Sequence, residues 1–283
     1  MKKTAKKVLE LKQKGKKITS LTAYDYSSAK YFDEAGVDII LVGDSLGQVV
    51  LGYPNTTHVT LDDMKIFTAA VARGVQNALV VTDMPFLTYQ ASIESAVNNA
   101  AEIIRAGANA LKIEGGSDYI VNTVKHLVES GVPVMAHLGF TPQFINTIGG
   151  NFVAGKSLEA TLDVLKQAKK LEEAGAFAVV LEMVPDECAK FITENLTIPT
   201  IGIGAGVHCD GQILVSDDIL GRFDGFTPKF ARKYADLKAV IRAAAESYIK
   251  DVEKGAFPNK DESFHLSDEE RKRLEDFIKN RRD

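Results

Sequence analysis

VDIILVGDSLG, residues 37–47, is apolar from Val37 to Val42 apart from Asp38 near its start, and then turns abruptly into Gly43, Asp44 and Ser45. A short, largely β-branched run of this kind suits a strand buried on both faces, as in a parallel sheet. Just upstream, YSSAKYFDEAG (26–36) spaces its apolar residues three to four apart and stops at Gly36, a residue that tolerates the left-handed conformation at a helix end. The order is helix, glycine, strand, carboxylate.

The same order recurs along the chain. Gly36, Gly74, Gly107, Gly131 and Gly175 precede the runs DIILVGD (38–44), ALVVTD (78–83), ALKIEG (110–115), PVMAHLG (133–139) and AVVLEM (178–183). Between them lie SIESAVNNAAEIIRAG, YIVNTVKHLVESG and LEATLDVLKQAKKLEEAG, whose apolar spacing predicts helices with one buried face. Ser92 is the expected cap of the first of these, with Glu94 in its first turn. LTAYD (21–25) supplies a first strand, PTIGIGAG (199–206) a further one and QILVSDDIL (212–220) the last, so strand and helix alternate about eight times. Alternation of this kind predicts an α/β fold, a parallel eight-stranded (β/α)8 TIM barrel with an N-terminal helix and a C-terminal helical extension. An open doubly wound sheet would normally carry a glycine-rich turn after its first strand, and LTAYDYSSAK has none. The expected division is a catalytic barrel over 1–265 and a helical extension over 266–283.

Composition excludes several classes. Hydrophobic residues make up 45% of the chain and charged residues 25%, enough to bury a full core. No apolar run reaches the ~18 residues of a membrane span, and a net charge of -4 gives no support for nucleic-acid binding. The lysine-rich start, MKKTAKKVLELKQKGKK, lacks the apolar core of a signal peptide and is expected to form a solvated amphipathic helix, which points to the cytoplasm. Cys188 and Cys209 have no metal-type spacing.

In a barrel the active site lies where strands end and loops begin. Asp44 ends the second strand, Asp83 the third, Glu114 the fourth, His137 the fifth and Glu182 the sixth. Asp44 and Asp83, on strands about 4.8 Å apart, can aim at one point, and two such carboxylates repel unless a positive charge stands between them. Oxygen ligands favour a hard cation, most simply Mg²⁺; the competing reading is an ion pair with Lys112, which shares the inward face of the fourth strand with Glu114. Glu182, across the ring, suits a general base or merely a capped strand end. His137 is either a second acid or base or a partner of loop backbone. GIGAG (202–206) reads equally as a phosphate cradle or as close packing.

Taken in order, LTAYDYSSAK, VGDSLGQVVLG, DMPF, NAAEIIRAGANALKIEGG, AHLGFTPQ, IGIGAG with DGQILV, and PKFARKY closely resemble the ketopantoate hydroxymethyltransferase family, from about residue 4 to His265. The resemblance implies a Mg²⁺-dependent enzyme of pantothenate and coenzyme A synthesis that transfers a one-carbon unit from 5,10-methylenetetrahydrofolate to 3-methyl-2-oxobutanoate, giving 2-dehydropantoate. By motif it implies Asp44 and Asp83 as metal ligands, Glu114 as a third metal-site carboxylate, Ser45 and Lys112 as contacts to the 2-oxo acid, and Glu182 as the catalytic base. It also implies a large homo-oligomer, typically a decamer. The chain departs from the pattern at His58, Ala136 and Phe140, and in LSDEERKRLEDFIKN (266–280), where Ser267 is the expected N-cap and Leu274, Phe277 and Ile278 share one helical face. Two other functions stay open: a Mg²⁺-dependent 2-oxo acid lyase or mutase of the phosphoenolpyruvate mutase and isocitrate lyase group, and a non-catalytic metabolite-binding barrel.

Overall fold

Eight short strands, apolar runs in β2 to β6 and more mixed in β1, β7 and β8, form the centre of the molecule: β1 (Ile18–Thr22), β2 (Ile39–Val42), β3 (Leu79–Asp83), β4 (Ala110–Glu114), β5 (Val134–Gly139), β6 (Ala178–Glu182), β7 (Thr200–Ile203) and β8 (Gly211–Leu214). A computed structural model describes residues 2–150, 152–225 and 227–281. All strands pair in parallel with their sequence neighbours, and β8 returns to β1, so the sheet is the closed barrel predicted. Met1 and residues 282–283, at the ends of the expected domains, lie outside the described residues.

The period of two along each strand sorts its side chains between two environments. Ile18, Ile39, Leu41, Leu79, Val81, Ala110, Met135, Ala178, Val180, Ile201 and Ile213 pack together inside the barrel. Ile40, Val42 and Val80 face the outer helices on one side, and Leu111, Ile113, Val134, Ala136, Leu138, Val179 and Leu181 do so on another. In β2 to β6 both parities are apolar up to the strand ends, which is why these strands read as continuous greasy runs, whereas β1 buries Ser20 and Thr22.

Helices Tyr26–Glu34, Leu61–Gly74, Ile93–Arg105, Asp118–Glu129, Leu158–Glu173 and Asp186–Glu194 connect successive strands up to β7. Ser92 caps its helix as expected, accepting from the Ser95 N–H. Gly36 has the left-handed φ of 92° that a helix end favours. Gly74 differs: it is the last residue of its helix, and a Cβ there would stand 2.5 Å from the Tyr26 carbonyl, so glycine serves the close approach of two helices. The eightfold alternation also fails at one place. Residues 204–210 join β7 to β8 without a helix, because this segment is a tight glycine-containing loop.

The N-terminal helix, Ala5–Gln13, is not simply solvated. Val8 is fully buried in the barrel-interior cluster and Leu11 packs against it. Lys12 donates to the Thr193 and Ile198 carbonyls and pairs with Asp210 at 2.9 Å, while Lys3 pairs with Asp38 at 3.0 Å. These partners precede β7, β8 and β2, so the helix closes the amino end of the barrel.

The chain divides into two compact units, 1–234 and 235–283. The second contains helices Leu237–Glu253, capped by Asp236, and Asp268–Lys279, capped by Ser267 as the sequence predicts. Leu274, Phe277 and Ile278 are exposed along the latter.

Candidate active site

The residues that end the strands continue the inward parity. Leu79 and Val81 are followed two residues on by Asp83, Ala110 by Lys112 and Glu114, Met135 by His137, and Ala178 and Val180 by Glu182. Strand register then sets them side by side: Asp83 pairs with Lys112, Glu114 with His137, and Gly139 with Glu182. Asp44 lies just beyond β2, where Gly43 holds the inward position. Its backbone N–H donates to Asp83 Oδ2 at 2.9 Å.

All the residues expected at the site except Ser45 and Glu182 are sealed within it. Asp44, Asp83, Lys112, Glu114 and His137 are each 5% exposed or less. The Lys112 ammonium lies 2.8 Å from Asp83 Oδ1 and 3.8 Å from Glu114 Oε1. His137 stands between two carboxylates, Nδ1 at 3.4 Å from Glu114 Oε1 and Nε2 at 3.2 Å from Glu182 Oε2. Ser45 Oγ lies 2.8 Å from the hydroxyl of Tyr24.

Three residues that the strand-end argument does not reach complete the cluster. Gln143 follows β5 in a single 3₁₀ turn, Pro142–Phe144. Its amide nitrogen donates to Asp44 Oδ2 at 2.8 Å and to the Met84 carbonyl at 2.9 Å, and its backbone N–H donates to Glu114 Oε2 at 3.0 Å. Tyr89, fully buried on the β3 loop, has its hydroxyl 2.8 Å from Gln143 Oε1. Tyr24 and Gln143 lie inside LTAYDYSSAK and AHLGFTPQ, but nothing in their spacing shows which loop they reach across to.

The protonation states follow from this crowding. Burial pushes the Asp44 carboxyl well up from its ordinary value, and the charges of Asp83 and Glu114 push it further. Asp83 is also raised by burial, though the Lys112 ammonium opposes the rise. For Glu114 burial is outweighed by His137 and Lys112, and its carboxyl is held low. Lys112 is raised, because the charges of Asp83, Glu114 and Asp44 outweigh its burial. His137 is raised to about 9, since the nearby Glu114 and Glu182 carboxyl groups outweigh burial and the Lys112 charge. An imidazolium also suits a ring with a carboxylate oxygen at each nitrogen; the 3.3 Å approach of Lys112 Nζ to Nδ1 is then a contact of two cations held by surrounding anions.

Four carboxyl groups, Asp44, Asp83, Glu114 and Glu182, thus surround two basic groups, Lys112 and His137, so acidic side chains outnumber basic ones at the rim. Among the described residues, no group of three or more His, Cys, Asp or Glu forms a ready-made metal cage. The donor set nevertheless fits Mg²⁺, which needs only one or two carboxylates and takes its other ligands from substrate and water. Asp83 Oδ1 is buried without a well-formed hydrogen bond, its ammonium neighbour notwithstanding.

The GIGAG segment resolves toward packing. A Cβ on Gly204 would strike the Phe230 ring and one on Gly206 the Asp186 carboxylate, an anion where a phosphate would need a cation. Cys209 is buried, and Cys188 Sγ lies 3.0 Å from the Gly155 carbonyl.

A sequence profile described as ketopantoate hydroxymethyltransferase matches residues 2–260. The 3-methyl-2-oxobutanoate hydroxymethyltransferase of Clostridium botulinum (strain Alaska E43 / Type E3) is 50% identical over 275 residues, covering 97% of this chain and 100% of that protein. That of Syntrophus aciditrophicus (strain SB) is 54% identical over 255 residues, covering 90% of this chain and 93% of that protein. Among solved structures, 2,3-dimethylmalate lyase, a PEP mutase/isocitrate lyase superfamily member, superposes with a TM-score of 0.59 at 16% identity, covering 98% of this chain and 100% of that chain. The last likeness concerns the fold alone.

Proposed function

Because the chain belongs to the ketopantoate hydroxymethyltransferase family, we propose that it transfers a hydroxymethyl group from 5,10-methylenetetrahydrofolate to 3-methyl-2-oxobutanoate, giving 2-dehydropantoate. The observation that supports this most directly is the register of β3 to β6, which sets Asp83 beside Lys112, Glu114 beside His137, and Glu182 at the same rim.

Asp44 and Asp83, with Glu114 beside them, are the residues that would hold Mg²⁺; when bound it would lend Lewis-acid charge to the carboxylate and keto oxygen of a 2-oxo acid. Lys112, kept protonated by its anionic neighbours, and Ser45, oriented by Tyr24, bind the substrate carboxylate. Glu182 removes the C3 proton. The imidazolium of His137, 3.2 Å from Glu182 Oε2, fixes the direction of that carboxylate. The enolate carbon then attacks the folate-borne methylene, the two carbon–nitrogen bonds to the folate break, water supplies the hydroxyl group, and the two folate nitrogens take up the proton held by Glu182 and the remaining proton of the water. The burial of Asp44, Asp83 and Lys112 keeps bulk water from the site, which strengthens each charge interaction.

The test is proton NMR of 3-methyl-2-oxobutanoate in D₂O with metal-stripped protein. Loss of the C3 hydrogen signal on adding Mg²⁺ is the expected result. No exchange with Mg²⁺ and tetrahydrofolate together overturns the assignment. Residues 1–265 are proposed as the catalytic domain, working in a cytoplasmic homo-oligomer, a decamer; sedimentation of the purified protein tests the assembly.

A further inference from the structure

We propose that Gln143 is a positioning residue that sets divalent-cation affinity by holding Asp44 and Glu114 in place; this rests on the metal reading above. Gln143 is 1% exposed, and every polar group it carries that faces the site is engaged. Its Nε2 donates to Asp44 Oδ2 and the Met84 carbonyl, its Oε1 faces the Tyr89 hydroxyl, and its backbone N–H donates to Glu114 Oε2. One residue thereby ties the ends of β2, β3, β4 and β5.

The polarity of the amide is fixed by its surroundings. Two acceptors lie on the nitrogen side and one hydroxyl donor on the oxygen side, so a flipped amide would set its oxygen against the Asp44 carboxylate and the Met84 carbonyl. A carboxylate in place of the amide would add a further acidic group to a site where these already outnumber the basic ones, and would remove the donors to Asp44 Oδ2 and the Met84 carbonyl. An apolar side chain would leave Asp44 Oδ2, the Met84 carbonyl and the Tyr89 hydroxyl without these partners. The Gln143 amide and backbone N–H, at 2.8 Å from Asp44 Oδ2 and 3.0 Å from Glu114 Oε2, fix the direction of both carboxyl groups, and partners of this kind orient the groups that ligate a metal.

The test uses metal-stripped full-length protein and Mn²⁺ as the probe, with its dissociation constant read by isothermal titration and by electron paramagnetic resonance of free Mn²⁺. Melting temperatures are measured without metal. Gln143→Met is expected to weaken Mn²⁺ binding about 10- to 100-fold. Tyr89→Phe, which removes a hydroxyl bonded to both Gln143 Oε1 and the Glu114 backbone, is expected to weaken it severalfold; Gln143→Asn, which keeps an amide on a shorter arm, decides the matter if Gln143→Met does not fold. A lowered melting temperature with unchanged Mn²⁺ affinity in the folded variants would reduce Gln143 to a structural residue and overturn the proposal. Failure of the unaltered protein to bind Mn²⁺ overturns the metal reading itself, and this inference with it. Wild-type binding with unaffected variants sinks this inference alone.

Discussion

Gly139→Ala should disable the site without touching any ionisable group. Gly139 has φ of 94° and pairs with Glu182 at the end of β5. A Cβ there would overlap the Glu182 carbonyl oxygen and meet Val184 Cγ2 at 3.0 Å, so the new methyl has no free direction. That oxygen also accepts from the Phe140 N–H at 2.8 Å, and Met183, next in sequence, has a positive φ of 50°, so the backbone here has little freedom to yield. The left-handed alanine costs about 1–2 kcal/mol and the forced repacking about 1–3 kcal/mol. Together these lower the melting temperature by roughly 4–20 °C at the usual 2–4 °C per kcal/mol for a chain of this size. Clearing the overlap moves Glu182 by on the order of 1 Å, a displacement that typically costs ~10² in rate. The assay is Mg²⁺-dependent C3 hydrogen exchange of 3-methyl-2-oxobutanoate in D₂O, read beside thermal unfolding by circular dichroism. An exchange rate within twofold of the unaltered protein would refute the claim that this backbone crossing aims Glu182.

Glu182→Gln should lower the exchange rate by about 10²- to 10⁴-fold while 3-methyl-2-oxobutanoate still binds in a calorimetric titration; retained exchange would assign the base elsewhere. His137 is raised to about 9 from 6.5, so its stabilising contribution in the metal-free protein is complete below pH 6.5 and lost as pH rises through about 9. His137→Gln should therefore flatten the fall in melting temperature across that window, and an unchanged slope would mean that the ring is neutral throughout. Asp33 accepts hydrogen bonds from the backbone N–H groups of Gln76, Asn77 and Ala78 ahead of β3. Asp33→Ala should cost about 1–3 kcal/mol in urea unfolding with substrate affinity unchanged; an unaltered midpoint would show that water replaces the carboxylate.

The barrel was legible because a strand buried on both faces must be apolar at both parities, and runs such as Ile39–Val42 and Val179–Leu181 leave no polar face for an exposed sheet. The rim residues were legible for a related reason: an Asp, Glu, His or Lys placed two positions after an inward Val, Ala or Met has no favourable explanation in a dry core. Gln143, Tyr89 and Tyr24 were not legible as partners, since each acts across a loop whose path depends on strand register. Gly74 and Gly206 look like helix-end or anion-loop glycines in the sequence, yet what they serve is the close approach of Tyr26 and Asp186. The N-terminal helix looked solvated because its lysines dominate; their destination, carbonyls and carboxylates at the strand starts, is a tertiary fact.

That helix makes the barrel a well with one mouth. Val8 and Leu11 close one end with the same apolar cluster that fills the barrel, so whatever reaches Asp44, Asp83, Lys112 and Glu182 arrives and leaves past the carboxyl ends of the strands.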